Sequence, residues 1–466
     1  MNGVDEKENR PLIGRPPLRR AWTRRRAVPF SAMVRRGWVL TRRDNADPPA
    51  RLRYDAPKER CDVELVRRWA VRTGLAIVPL VAAMYVAGVQ IPGSTLVPWQ
   101  PNMMDLGVYA RVGGLVLTGG DIFDAAGQLP WIYPGFAALL TVPFAVIPFT
   151  AAAVLWLALC TAALAAILYR LGIDGWRLSL LTTLVILLVQ PVRDTLGFGQ
   201  LGIFLVAAAV LDSMPGRRIF PRRLLPEGWL VGVATAVKLT PAVVAAYNFF
   251  AGRRKAGLVA FGAFVAATAI GFAVLPAASL EYWVKLASGD SGLNSGIVFA
   301  SNQSVLGMWN RLTGEPSRGG LVLSVLVVGL GVWAAVLMHR RGQVAFALCL
   351  AGLTSLLGSP ISWSHHYVWV VPLAVVLWQA RELPGYLRWP GLGYTAWVAI
   401  APFMWLPNGN NVELSYAPWQ QFVDNVGIVA GVLLLAGSAA VALGPWGRAR
   451  AAAVRHASAP AAGEPA

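Results

Sequence analysis

Runs of roughly 15–23 apolar residues recur along this chain, and that repetition is what most limits how it can fold. In water such runs would need far more core than a chain of 466 residues can build. In a bilayer they satisfy their own backbone as helices. The candidate spans lie at 73–93, 151–169, 178–192, 200–213, 256–276, 321–338, 343–358, 367–380, 390–407 and 424–446. Composition agrees: 56% of residues are apolar and only 14% charged, about half the charge of a soluble domain. The expected class is all-α and polytopic, with about 10–12 transmembrane helices and two long extracytoplasmic loops.

The net charge of +18 would suggest nucleic acid in a soluble protein, but its distribution excludes that. Nineteen of the 41 Lys and Arg precede residue 73. With the N-terminus inside, 35 fall on the cytoplasmic side, five outside and one, Lys238, within the membrane. The expected organisation is a basic, largely disordered cytoplasmic tail at 1–72, a membrane domain at 73–446 and a cytoplasmic C-terminal tail at 447–466, in a plasma-membrane protein with both termini inside. The segment 229–251 carries Lys238-Leu239-Thr240-Pro241 in mid-run and basic loops at both ends, so it must cross an even number of times or re-enter. Three widely spaced cysteines, Cys61, Cys160 and Cys349, form neither a disulfide framework nor a CxxC site.

Polar chemistry collects in the outer loops at about 94–134 and 277–320. Asp105 opens a helix-spaced stretch expected along the membrane surface, as an N-cap or as a general base at the lipid boundary. Trp131 and Tyr133, in Leu129-Pro130-Trp131-Ile132-Tyr133-Pro134, suit headgroup anchors or a stacking wall for a sugar. His365 and His366 are adjacent, so they point about 100° apart on a helix and make no ready chelate. No carboxylate stands at metal-ligand spacing from them, and no metal site is expected, although a divalent ion is compatible with the sequence. Asn302 and Gln303 suit hydrogen bonds to hydroxyls or a phosphate, or simple loop solvation. Arg193 is expected in a brief outer hairpin, as an ion-pair partner of Asp194 or a phosphate ligand. Lys238, an intramembrane cation, has a lipid phosphate as one natural partner and snorkelling from a broken helix as the alternative.

Several of these segments, in order, resemble one family. DLGVYARVGG, GGDIFD and LPWIYPGFAALLTVPFAVIP are followed by GFGQLGIFLVAAAVLD, ATAVKLTPAVV, SNQSVLGMWNRL and SPISWSHHYVW. Together they are similar to the actinobacterial polyprenyl-phosphate-mannose-dependent α-mannosyltransferases, GT-C class enzymes of glycosyltransferase family 87. The likeness covers about 75–445. It departs at Tyr133-Pro134-Gly135, where a second proline is expected. The resemblance implies a polyprenyl-phosphate-mannose donor and Asp105 as the catalytic base. His365 and His366 would hold the donor, Arg193 and Lys238 its phosphate, and Asn302, Gln303, Trp131 and Tyr133 the sugars. It also implies inversion to an α-1,2-mannoside on a phosphatidylinositol mannoside, lipomannan or lipoarabinomannan at the extracytoplasmic face; a divalent metal is compatible with the class, although the sequence supplies no ligand set and no cofactor is expected. The rival reading is a transporter or flippase for a glycolipid or prenyl-linked sugar, a class that places its charges on broken helices at mid-membrane.

Overall fold

A computed structural model describes residues 58–124, 129–288, 296–314 and 318–458. Residues 1–57 of the expected tail lie outside the described residues. Residues 58–72 are helical, the first part of helix Lys58–Ala87. The described chain is almost wholly helical. Its only two paired strands there, Thr95–Leu96 and Trp99–Gln100, form a small antiparallel ribbon with Thr95 opposite Gln100.

Among the described residues, four helices are long and apolar enough to cross a membrane: Phe149–Arg170, Arg254–Val274, Arg318–Arg340 and Pro418–Leu443. A fifth span forms if Gly175–Leu188 and Gln190–Phe198, bent by 80° at their junction, are taken together. Thr73–Ala87, Gly202–Ser213 and Val344–Leu357 are shorter apolar helices. Apolar runs therefore do not map one to one onto full-length spans, because Pro, Gly and buried polar residues cut several of them short.

Packing explains which helix faces turn inward. Helix Arg254–Val274 exposes Leu258, Phe261, Val265 and Ile270 and buries Gly257, Ala260, Ala263, Ala267 and Gly271. That small-residue seam lets backbones touch: a Cβ on Gly232 would stand 2.2 Å from the Ala260 carbonyl oxygen. Close approach of this kind replaces the hydrophobic drive that lipid does not provide.

The segment 229–251 forms a helical hairpin broken at Lys238. Helix Trp229–Val237 stops where Lys238 turns extended (φ −152°), and Pro241 then begins helix Ala242–Phe250. Glu227 before the first helix pairs with Arg253 after the second, so both ends of the hairpin lie together and Lys238 sits at its tip. Nine helical residues rise about 14 Å, roughly half a bilayer core.

The short basic loops gather at the hairpin's open end. Arg170 Nε donates to Met214 O (2.8 Å), Gln379 Nε2 to Leu171 O (3.0 Å), Gln343 Nε2 to Glu382 Oε1 (3.2 Å) and Arg341 Nε to Ala442 O (2.9 Å).

Candidate active site

Asp105 stands in the first turn of helix Met104–Thr118. It is not the N-cap; that position belongs to Met103, a fully buried residue in the left-handed region (φ 38°) with no capping side chain. Holding a non-glycine residue there costs on the order of 1–3 kcal/mol and is sustained by the surrounding packing. The Asp105 carboxylate lies beside Gln200, whose side chain favours its ionised form. Gln200 is itself fixed, because Tyr109 and Tyr133 both donate to its Oε1 (3.3 and 3.4 Å). With the oxygen occupied, the amide N–H is left to face the acid. Burial pushes the Asp105 carboxyl up to about 6, opposed by the Gln200 hydrogen bond and by the Lys238 charge.

Gly199 makes this contact reachable. It ends helix Gln190–Phe198 in the left-handed conformation (φ 72°), and a Cβ there would fall 2.7 Å from Leu106 Cβ. Only glycine lets the chain turn at that point while lying against the helix that carries Asp105.

Lys238, at the hairpin tip, places Nζ 2.8 Å from His366 Nε2 and 5.5 Å from the centre of the Tyr133 ring. His366 Nδ1 accepts the Trp363 backbone N–H (3.2 Å). His365 lies edge-on to His366, ring centres 4.5 Å apart, and its buried Nε2 has no hydrogen-bond partner among the described residues. Trp131 Nε1 is likewise buried and unpartnered, beside Tyr133 (5.0 Å between ring centres) and Tyr109 (6.1 Å). Beyond Lys238 and His366 runs a groove lined by Leu205, Val206, Ala209, Val244, Leu356 and Trp369.

Asp105, Lys238, His365, His366, Trp131 and Tyr133 thus come together from four separate stretches of chain. Trp131 and Tyr133 are 4% and 5% exposed, so they form an interior wall rather than headgroup-level anchors. Arg193 does not join the cluster: its Nε donates to Gln90 Oε1 (2.9 Å). Asn302 and Gln303 are also elsewhere, with their side chains spent inside the protein. Asn302 Nδ2 donates to Ile297 O (2.8 Å) and its Oδ1 accepts from Ser362 N (2.9 Å). Gln303 Nε2 donates to Ala300 O (2.8 Å) and Asp424 Oδ1 (3.0 Å). Both brace the loop that carries the histidines, through Ser362 N and the Tyr367 hydroxyl, which donates to Gln303 O. Among the described residues no three His, Cys, Asp or Glu side chains converge as a metal site.

Three supporting residues escape a reading of the sequence. Tyr109 follows Asp105 at i+4, a visible signal that it shares its face. Asp194 is buried, accepting from Gln90 Nε2 and Gln190 Nε2 (2.8 Å each) and from Ser364 Oγ (2.7 Å), which anchors the 3₁₀ turn Ser364–Trp369 bearing the histidines. Asp424 forms a fully buried ion pair with Arg311 (2.7 Å). A lone acid at the mouth of an apolar run is the one sequence hint of that pair.

An acid beside a half-buried Lys–His pair, in an almost wholly helical chain with apolar spans, fits an integral-membrane glycosyltransferase of the GT-C type. The description of glycosyltransferase family 87 matches residues 131–360. The polyprenol-phosphate-mannose-dependent alpha-(1-2)-phosphatidylinositol mannoside mannosyltransferase of Mycobacterium tuberculosis is 31% identical over 312 residues, covering 60% of this chain and 71% of that protein. The enzyme of the same name from Mycolicibacterium smegmatis is 30% identical over 387 residues, 72% of this chain and 86% of that one. The phosphatidylinositol pentamannoside mannosyltransferase of M. tuberculosis, with the same donor dependence, is 32% identical over 338 residues, 68% and 75%. No solved structure matches. The chain belongs to glycosyltransferase family 87.

Proposed function

We propose that this protein transfers mannose from polyprenyl-phosphate-mannose to a hydroxyl of a mannosylated phosphatidylinositol, forming an α-1,2 linkage with inversion at the anomeric carbon. The observation that carries the reading is the placement of Asp105 across from Lys238 and His366 beside an apolar groove. A phosphate leaving group departs without protonation, so the donor side needs cations and hydrogen-bond donors rather than an acid. Lys238, His366 and the unpartnered His365 Nε2 supply these. Leu205, Val206, Val244 and Trp369 give the lipid end of the donor an apolar neighbourhood.

The acceptor hydroxyl does need a base. Asp105 would take its proton as the oxygen attacks the anomeric carbon, on the face opposite the phosphate, and its charge would favour an oxocarbenium-like centre. Trp131 Nε1 and the Tyr109–Tyr133 wall are placed to hold the sugar. Lipomannan or lipoarabinomannan present similar terminal mannose and are acceptors of the same class. The gathering of basic loops at the opposite end supports cytoplasmic termini and an extracytoplasmic active site in the plasma membrane.

The test is mannose transfer by purified protein in nanodiscs, with polyprenyl-phosphate-mannose and a panel of mannosylated phosphatidylinositols and lipoglycans, beside Asp105→Asn. The reading requires release of polyprenyl phosphate with each mannose transferred and none from the variant. Movement of intact donor across the bilayer without its consumption would make the protein a transporter instead.

A further inference from the structure

We propose that a second cavity, at the basic end of the bundle, binds a phosphate-bearing anion and is distinct from the catalytic cluster. The cavity has a volume of about 330 Å³ and is lined by Arg170, Arg223, Arg253 and His339 together with Asp212 and Glu227. Helix Trp229–Val237 separates it from Lys238 by its full length, about 14 Å.

Its cations are held in place in advance. Arg170 Nε and Nη1 donate to Met214 O (2.8 Å) and Arg217 O (3.0 Å). Arg223 Nε donates to Leu225 O (2.9 Å), and Arg253 Nη1 to Ser213 O (2.9 Å). The two acids are already engaged: Asp212 pairs with Arg223 and accepts from Gly228 N (3.0 Å) and Val231 N (3.1 Å), while Glu227 pairs with Arg253. Positive charge remains in excess. Arg170 lies within reach of the charges of Arg223 and Arg218, offset in part by Asp212. Fixed like charges around an open cavity repel one another until an anion enters between them. Guanidinium forks match phosphate oxygens in geometry.

The adjoining loop points to a lipid as the source of that phosphate. Ile219, Phe220, Leu224 and Leu225 are all exposed, interleaved with Arg218, Arg222 and Arg223. A segment of exposed apolar residues alternating with arginines lies at a membrane surface, where anionic headgroups are concentrated.

The experiment uses the full-length protein, delipidated in detergent, with bound molecules counted by native mass spectrometry. Phosphatidylglycerol, phosphatidylcholine and inorganic phosphate are titrated separately. Two variants accompany the parent. Arg170→Gln removes one cation, and Val344→Glu introduces a carboxylate into the cavity while keeping every arginine contact. Val344 opens helix Val344–Leu357, where an acid is tolerated, so the second variant folds even if the first does not. The expected result is one phosphatidylglycerol bound about tenfold more tightly than phosphatidylcholine, and loss of that preference in Val344→Glu. Competition by millimolar phosphate would assign the site to the phosphate group alone; its failure to compete would assign it to the whole lipid. Equal binding of the two lipids, or a preference unchanged in Val344→Glu, overturns the proposal. Binding is read without any transfer step, so the outcome is separable from that of the mannosyltransferase assay.

Discussion

Lys238 Nζ and His366 Nε2 lie 2.8 Å apart although 128 residues separate them in the chain. Lys238 bears the charge that Asp105 feels, and the His366 ring beside it can accept one proton more. A phosphate anion arriving here would draw a further proton onto the pair. Donor binding should therefore take up close to one proton, measured as a dependence of the calorimetric heat on buffer ionisation enthalpy. Heat independent of buffer would show that the pair takes up no further proton when the donor arrives.

Removing the cation should weaken the donor side. A charge-assisted contact contributes about 1.5–3 kcal/mol, so Lys238→Met is expected to lower kcat/KM for donor by roughly 10–100-fold. The acceptor's KM should change little. Steady-state kinetics with each substrate varied in turn separates the two effects.

The catalytic base sets the pH profile. Asp105 titrates near 6 and must be ionised to accept a proton, so activity should be flat above that value and fall about tenfold per pH unit below it. Asp105→Asn should lose roughly 10²–10⁴-fold in kcat without loss of fold. Gln200→Leu removes a hydrogen bond that favours the carboxylate, so its inflection should move upward. A purely structural role for Gln200 would reduce activity and leave the inflection where it was.

Gly199→Ala tests the turn that brings Gln200 to Asp105. Both the positive φ and the 2.7 Å approach to Leu106 oppose a methyl group. A cost on the order of 1–3 kcal/mol is expected in thermal stability, with a larger proportional loss in transfer rate. Unchanged activity would mean that the Gln200 contact is dispensable.

The Arg311–Asp424 pair is wholly buried, and Arg311 also donates to Asn425 Oδ1 (2.9 Å) and Asn302 O (2.9 Å). Asp424→Ala strands a guanidinium in the interior and should destabilise the protein by about 3–5 kcal/mol. Arg311→Met with Asp424→Leu should recover much of that loss in a melting experiment. Recovery of stability without activity would show that the pair matters for the 302–304 loop as well as for the fold.

Much of the architecture was readable from the chain itself. Long runs of Ala, Leu and Val can only become helices in lipid, because every backbone polar group must be satisfied within its own segment. Clustered arginines marked the loops of one end, and Lys238-Leu239-Thr240-Pro241 marked a break, because proline cannot continue the hydrogen-bond ladder. Asp105 and the His365–His366 pair stood out for being polar where little else is. Tertiary structure decided which of these polar groups meet. Asn302 and Arg193 are as conspicuous in the sequence as Lys238, yet the fold spends them on Ser362 and Gln90. Gln200, Asp194 and Asp424 acquire their roles only from partners on other elements. Helix formation is governed by residues a few positions apart, whereas a site is assembled by packing between residues a hundred or more apart, and no local pattern records which of them will touch.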